Sequence, residues 1–261
     1  MMNKNLYSKE LKRNRKNLWI WSGIAIAFTF MIVSLYPSMQ NAGKAMAESM
    51  PEEMLKAFGM DVAQWKEIMG YYKTYFGFHI ILIMSIYACS TGANIISKEE
   101  REKTSEFLFS KPISRKTIFT SKVISLFTLT LFIFSIQTIS CIIGILLFDN
   151  GTINWEQFIS IQFNGLVLIS FFGAVGLLIS MLSKPKKNFM GLVVGVVFTC
   201  YFIYAISKSV DDANWLGYFS PFYYLNFDGK IDVLAVLVFI FLLFSCLILS
   251  YKIFRKKDIG A

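Results

Sequence analysis

The sequence has few of the side chains on which enzymes most often depend. Its 261 residues include one histidine, and only 16% are Asp, Glu, Lys or Arg. The lone histidine, His79, has no second His, Cys or carboxylate at ligand spacing, so neither a metal centre nor acid–base catalysis is indicated. The chain is therefore not predicted to be an enzyme, and no metal ligand or catalytic residue is expected in it.

Two further absences narrow the function. No Gly-x-x-x-x-Gly-Lys-Ser/Thr sequence occurs, so the chain lacks the common phosphate-binding loop of ATPases and no cofactor is expected in it. The four cysteines all lie inside apolar segments, so no disulfide framework is expected either. Any energy source for the protein must be another polypeptide.

Hydrophobic residues, in contrast, make up 55% of the chain, and they are concentrated in six blocks. A helix needs roughly 20 apolar residues to cross a hydrocarbon core of about 30 Å. The blocks are too long for barrel strands and do not alternate, so helices are the only spanning structure that satisfies the backbone. The sequence predicts an all-α integral membrane protein, one transmembrane domain over residues 1–261, with spans at 18–36, 76–96, 123–148, 158–182, 190–206 and 233–254.

The distribution of positive charge predicts the orientation. The formal net charge is +9, and 20 of the 26 Lys and Arg residues lie before the first span, after the second, after the fourth and after the sixth. This alternation places both termini in the cytoplasm by the positive-inside bias. It also assigns the basic character to membrane lipids and not to nucleic acid. We expect a multi-pass protein of a bacterial cytoplasmic membrane.

The first 17 residues are polar and basic, apart from an apolar face. Leu6, Tyr7 and Leu11 are spaced for one side of a helix, which predicts an amphipathic helix over residues 3–17 lying on the inner leaflet before the chain turns into the bilayer. A solvated basic tail is the alternative.

Two outer loops carry local signals. Pro51 and Gly59 bracket two acids and several apolar residues, as expected of a short helix. The loop over residues 207–232 is rich in aromatic residues around Pro221, and we expect it to rest at the membrane interface or dip into the membrane there, rather than to extend into water.

The most informative stretch is the connector over residues 97–122, after the second span. Its charges are mixed, and Glu99 and Lys103 form a favourable i, i+4 pair, which predicts a helix. The apolar triplet Phe107–Phe109 follows, where a cytoplasmic surface would normally be polar. Pro112 then ends the helix, and Ser114 is placed to cap the helix of the third span. Such a connector suits docking into a groove on a cytoplasmic partner.

Here the chain resembles the permease subunits of type-2 ATP-binding-cassette exporters, particularly the small bacterial ones. Those proteins have an acidic cluster, a Thr, an acid, apolar residues and then Pro-Ile/Val-Ser-Arg followed by a Lys. Many members have Gly where this chain has Lys103. The matching residues here are Glu99, Glu100, Glu102, Thr104, Glu106, Phe107, Leu108, Pro112, Ile113, Ser114, Arg115 and Lys122. Less specific similarity extends to residues 3–17, Tyr36-Pro37-Ser38, Pro51–Gly59 and Ser220-Pro221-Phe222-Tyr223.

The resemblance implies a dimer of identical or similar permeases with two cytoplasmic ATPase subunits docked on the connectors, ATP and Mg²⁺ being bound by the ATPases. It implies export, and the apolar bundle favours a lipid-like, peptide or hydrophobic drug cargo. An ordinary basic inner loop is the alternative interpretation of the connector. The alternative functions are a membrane anchor or sensor that transports nothing and, with least support, a membrane-embedded enzyme.

A few polar and small residues within the spans remain open to interpretation. His79 is either packing or part of a pathway, and Asn94, Gln137 and Asn164 either line a path or join helices by hydrogen bonds. Gly173 and Gly176, and likewise Gly191 and Gly195, form small-residue faces. Such faces permit close helix approach within the bundle or across a dimer interface.

Overall fold

Six long helices dominate the computed structural model, which describes residues 2–51, 54–55, 65–102, 104, 112–148, 153–183, 189–225, 227 and 229–256. All regular secondary structure among these residues is helical. Six segments are long and apolar enough to cross a membrane, and each predicted span falls within one of them. The prediction of a six-span, multi-pass membrane protein is therefore confirmed. Spans 1 to 6 are Lys4–Met39, Ile68–Glu99, Arg115–Phe148, Trp155–Leu182, Met190–Ser209 and Val233–Lys256.

Among the described residues, eight α-helices, one π-helical turn and one 3-10 helix have defined bounds and form these spans and the connections between them. The π-helix, Phe76–Ile80, joins α2 to α3 within span 2. The 3-10 helix, Asp211–Phe219, follows α6. The α-helices are α1 (Lys4–Ser49), α2 (Ile68–Tyr75), α3 (Ile81–Arg101), α4 (Arg115–Phe148), α5 (Trp155–Leu182), α6 (Met190–Ser209), α7 (Pro221–Tyr224) and α8 (Val233–Lys256).

The first helix differs from the prediction. α1 runs without interruption for 46 residues, with Pro37 inside it. The predicted helix over residues 3–17 is confirmed from Lys4 onward, but it is continuous with the helix of span 1, with no non-helical residue between the two. Its position on the inner leaflet stays a prediction. No Gly or Pro lies between Lys4 and Ser22 to break the helix. The contour length, about 70 Å at about 1.5 Å per residue, exceeds what a bilayer requires, so part of α1 lies outside the hydrocarbon.

Span 2 is the central helix of the bundle. In its most apolar window of 18 residues 78% are buried, against 22% in span 6. It crosses span 4 where backbones approach closely: a Cβ added to Gly92 would lie 2.1 Å from the carbonyl oxygen of Gly173. The small-residue face of span 4 therefore packs within the chain. Gly191 and Gly195 on α6, in contrast, have no atom within 4 Å of such a Cβ among the described residues.

The aromatic segment between spans 5 and 6 dips into the bundle. The Ser220 hydroxyl donates to the carbonyl of Cys200 on α6 (2.7 Å) and accepts from the backbone N–H of Phe222, and it thereby caps the short helix α7. The ring of Phe222 is buried against the rings of Phe172 and Tyr201. Irregular backbone is tolerated at membrane depth when it is enclosed by protein, as here.

Little of the predicted Pro51–Gly59 helix can be assessed. The backbone amides of Met54 and Leu55 donate to the carbonyl of Pro51, which is one helical turn. The rest of that prediction lies outside the described residues.

Candidate functional site

The connector leaves span 2 through a hydrogen-bonded helix end. α3 continues to Arg101, and the backbone N–H of Thr104 donates to the carbonyl of Glu99 (3.0 Å). The Thr104 hydroxyl also donates to the Glu99 carboxylate. The side chain of Glu100 and the predicted contact residues Glu106, Phe107 and Leu108, with most of the predicted connector helix, lie outside the described residues. Glu102, half exposed, lies 3.9 Å from Lys98.

The connector re-enters the bundle at a capped and anchored helix start. Ser114 accepts from the backbone N–H of Thr117 (3.2 Å), as the predicted cap requires. Arg115 donates to the carbonyls of Phe254 (3.3 Å) and Arg255 (3.0 Å) at the end of α8, where the helix dipole favours a cation. Pro112 is exposed and Ile113 packs against a small apolar cluster at this end of the bundle. The start of span 3 is thereby fixed to the end of span 6.

Four charged side chains from α1, α3 and α4 meet beside the connector. This buried ion cluster consists of Glu10, Arg13, Glu99 and Lys122. Lys122 Nζ lies 2.8 Å from Glu10 Oε1 and 3.3 Å from Glu99 Oε1, and it donates to the carbonyl of Ile95 at 2.7 Å. Arg13 Nη1 donates to Glu99 Oε1 at 2.7 Å. The cluster thus joins the ends of three helices that are distant in the sequence.

The buried ion cluster is closed to water and balanced in charge. The side chains of Glu10, Glu99 and Lys122 are exposed by 0%, 3% and 1%, and that of Arg13 by 15%. Two carboxylates face two buried cations, and the half-exposed Lys9 lies 3.8 Å from Glu99 Oε1. Such pairing is needed because removing one partner of a buried ion pair costs on the order of 3–5 kcal/mol. The same stretches of α1, α3 and α4 also contribute to one buried apolar cluster, which consists of Leu6, Ile95, Ile96, Ile118, Phe119, Leu177, Met181 and Phe254.

The sequence analysis singled out Glu99 and, through the family resemblance, Lys122, but it did not include Glu10 or Arg13. Two signals were available: Glu10 is the only acid among the first 47 residues, and Lys122 stands directly before the apolar run of span 3. Neither signal identifies the partner, because Glu10 and Lys122 are 112 positions apart. A pairing of Glu99 with Lys103 lies outside the described residues; the described contacts of Glu99 are with Arg13, Lys122, Lys9 and Thr104.

His79 and Asn94 lie on the partly exposed side of span 2. His79 is within the π-helical turn, and its ring stacks on Tyr75 (centroids 5.4 Å apart) and contacts Phe28 of α1. Asn94 donates to the carbonyl of Ser90 (2.7 Å) and accepts from Arg101 (2.8 Å), so its amide links two turns of α3. The two residues are about 22 Å apart along the helix at about 1.5 Å per residue and form no common site.

Gln137 and Asn164 join helices by hydrogen bonds. The amides of Gln137 and Gln162 both donate to the hydroxyl of Tyr72 (3.4 and 2.8 Å), which links spans 2, 3 and 4 inside the bundle. Thr138 donates to the oxygen of Gln162 (3.2 Å). Asn164 donates to the carbonyl of Lys230 (3.0 Å) and ties the loop before α8 to span 4. Interhelical hydrogen bonds of this kind fix helix register in membranes.

Comparison with known proteins identifies the family. A family model described as ABC-2 family transporter protein matches residues 4–259, which include all six spans and the connector between spans 2 and 3. None of the curated proteins matches the sequence. Within the described residues no group of three His, Cys, Asp or Glu side chains is placed to hold a metal ion. The chain belongs to the ABC-2 family of transporter proteins and is a membrane subunit of an ABC transport system.

Proposed function

We propose that this chain is the permease subunit of an export system and that a separate cytoplasmic ATPase drives it through the connector over residues 97–122. Family membership supports the membrane role. The absence of a phosphate-binding loop from the sequence assigns ATP and Mg²⁺ to the partner. Lys and Arg are abundant between the end of span 2 and the start of span 3, which supports a cytoplasmic location for the connector.

One observation carries this proposal: both ends of the connector are fixed to the transmembrane bundle. On one side Thr104 is bonded to Glu99 of span 2, and on the other Arg115 is bonded to the last carbonyls of α8. A force applied at Thr104 or Arg115 would therefore be passed to spans 2, 3 and 6 through direct hydrogen bonds. This arrangement suits a mechanical coupling element better than an ordinary surface loop.

A second permease copy would complete the pathway. The partly exposed side of span 2 carries His79 and Asn94, and a polar side of this kind is costly against lipid. Span 1 contacts this side through Phe28, and span 5 contacts it through Tyr201, whose ring lies 5.3 Å from that of Phe78. We propose that a second copy or a similar permease covers this side and that cargo moves between the two.

The test is a charge reversal combined with a truncation in the connector. The variant Glu106→Lys/Phe107→Ala is purified with the ATPase subunit and reconstituted into liposomes. The permease-dependent part of ATP hydrolysis is then measured against the ATPase alone. We expect the variant to fold and to lose this stimulation, because the charged and apolar contacts to the partner are removed.

The control reverses a charge at the opposite end of the bundle. Glu156→Lys, in the exposed first turn of α5, should leave the stimulation unchanged. If the connector variant assembles and stimulates ATP hydrolysis like the unmodified chain, the coupling role is wrong. If assembly depends on the connector but ATP hydrolysis never responds to the permease, the anchor or sensor function is favoured instead.

A further inference from the structure

We propose that the amino-terminal part of α1, residues 4–17, belongs to the coupling device and that Glu10, Arg13 and Lys122 are positioning residues within it. The inference rests on the proposed function of the connector. It adds a third helix to the element that the ATPase would move. It also assigns a role to Glu10 and Arg13, which lie outside the motif of the family resemblance and contact two residues of that motif, Glu99 and Lys122.

The buried ion cluster spans the connector. Glu99 lies two residues before α3 ends at Arg101, and Lys122 lies two turns after α4 begins at Arg115. α1 contacts both, since Glu10 binds Lys122 and Arg13 binds Glu99. Lys122 also holds the backbone of α3 through the carbonyl of Ile95. The two ends of the connector are thus held in one geometry by side chains of α1.

Burial makes this connection stiff. Long charged side chains at a surface change rotamer freely, but these are enclosed by protein, and electrostatic interactions are stronger where the local dielectric is low. Moving α1, α3 or α4 separately would separate buried charges from their partners, which is costly. The three helix ends therefore move together.

α1 also contacts α4 outside the cluster. The backbone N–H of Asn3 donates to Ser121 (2.9 Å), and the Tyr7 hydroxyl donates to Thr128 (3.2 Å). Further along, a Cβ added to Gly144 of α4 would lie 3.4 Å from Val33 of α1. A displacement that the cluster transmits to α1 would accordingly be carried along span 1 towards the opposite end of the bundle.

The experiment separates a positioning role from a merely structural one. Lys122→Met leaves Glu10 and Glu99 with one buried cation between them and should destabilise the chain. The double variant Glu10→Gln/Lys122→Met restores charge balance and keeps the pair between Glu99 and Arg13, but it removes the charged link between α1 and α4. Lys116→Met, at an exposed lysine of the same helix, is the matched control.

Each variant is reconstituted with the ATPase subunit, and thermal stability, complex assembly and permease-dependent ATP hydrolysis are measured. We expect the double variant to assemble with stability close to that of the unmodified chain and yet to lose stimulation to the level of Glu106→Lys/Phe107→Ala. Lys116→Met should retain all three properties. Full stimulation by the double variant would overturn the inference.

Two further results keep the test decisive. If the double variant does not assemble, Glu10→Gln alone is used, because Lys122 then retains its ion pair with Glu99. Stimulation by Glu10→Gln equal to that by the unmodified chain would overturn the inference. If the connector variant loses stimulation and the variant of the ion cluster does not, the role of α1 is contradicted and the role of the connector is not. Loss in the cluster variant but not in the connector variant contradicts the proposed coupling route.

Discussion

The crossing of spans 2 and 4 offers a matched pair of substitutions on one helix. Gly176 and Gly173 lie three residues apart on α5. A Cβ added to Gly176 would lie 2.0 Å from the carbonyl oxygen of Cys89, whereas one added to Gly173 would lie 3.7 Å from the carbonyl oxygen of Ala88. The first distance is far inside van der Waals contact and the second is ordinary contact. Gly176→Ala should therefore destabilise the protein, whereas Gly173→Ala should be tolerated.

The loss of stability in Gly176→Ala depends on which atoms must move to relieve the overlap. The atom that a Cβ on Gly176 would meet belongs to the backbone of α3, so no side-chain rotation relieves the overlap. Restoring a contact of 3.4 Å requires α3 and α5 to separate by more than an ångström locally. Overpacking of this kind costs about 1–3 kcal/mol, only partly offset by a gain of roughly 0.5–1 kcal/mol when Ala replaces Gly in a helix. Since each kcal/mol of lost stability lowers the midpoint temperature of thermal unfolding by roughly 2–4 °C, this midpoint should fall by several degrees.

Thermal unfolding of the purified chain in detergent measures this difference. Cys89 and Cys141 are fully buried, so their reaction with a fluorogenic maleimide reports loss of packing. Gly92→Ala should lower the midpoint as Gly176→Ala does, because a Cβ there would meet the backbone of α5 at 2.1 Å. Equal midpoints for Gly176→Ala and Gly173→Ala would refute the close crossing.

Three other changes have defined outcomes in the same unfolding assay. Tyr72→Phe removes the hydroxyl that accepts from two buried amides, including that of Gln162, and should cost about 1–3 kcal/mol; an unchanged midpoint would contradict the hydrogen bonds. Asn154→Ala removes the cap of α5 and should cost about 0.5–2 kcal/mol, with Asn154→Ser as the conservative control. Lys122→Met should cost about 3–5 kcal/mol, and adding Glu10→Gln should recover most of it; a double variant less stable than Lys122→Met would contradict the charge balance.

Hydropathy predicts the spans well because the membrane imposes the rule. Each of the six predicted segments lies within an observed span, and the shortest, 190–206, corresponds to Met190–Ser209. Length and composition are enough here, since a spanning segment must satisfy its backbone internally whatever surrounds it. Helix ends outside the apolar core are not constrained in this way. The continuous helix from Lys4 into span 1 accordingly could not be inferred from hydropathy.

The small-residue faces show a second case in which the sequence alone does not predict how helices pack. The faces of Gly173 with Gly176 and of Gly191 with Gly195 are equivalent by spacing alone. Only the packing separates them: the first lies against α3, and the second has no neighbour within the described chain. Close approach within the protomer explains the first pair. A contact with a second copy remains a prediction for Gly191 and Gly195.

Glu99 shows why local rules are incomplete at the candidate site. A surface pair at i, i+4 contributes about 0.2–0.5 kcal/mol, which is the basis for pairing Glu99 with Lys103 from the sequence. A buried carboxylate without a cation costs several times as much, on the order of 3–5 kcal/mol. Since α1 and α4 pack over this face of α3 and leave Glu99 only 2% exposed, the cost of an unpaired buried charge outweighs the gain from a surface pair, and Arg13 and Lys122 become its cations. The partners of such a residue are set by which helices cover it, and that information is absent from its sequence neighbourhood.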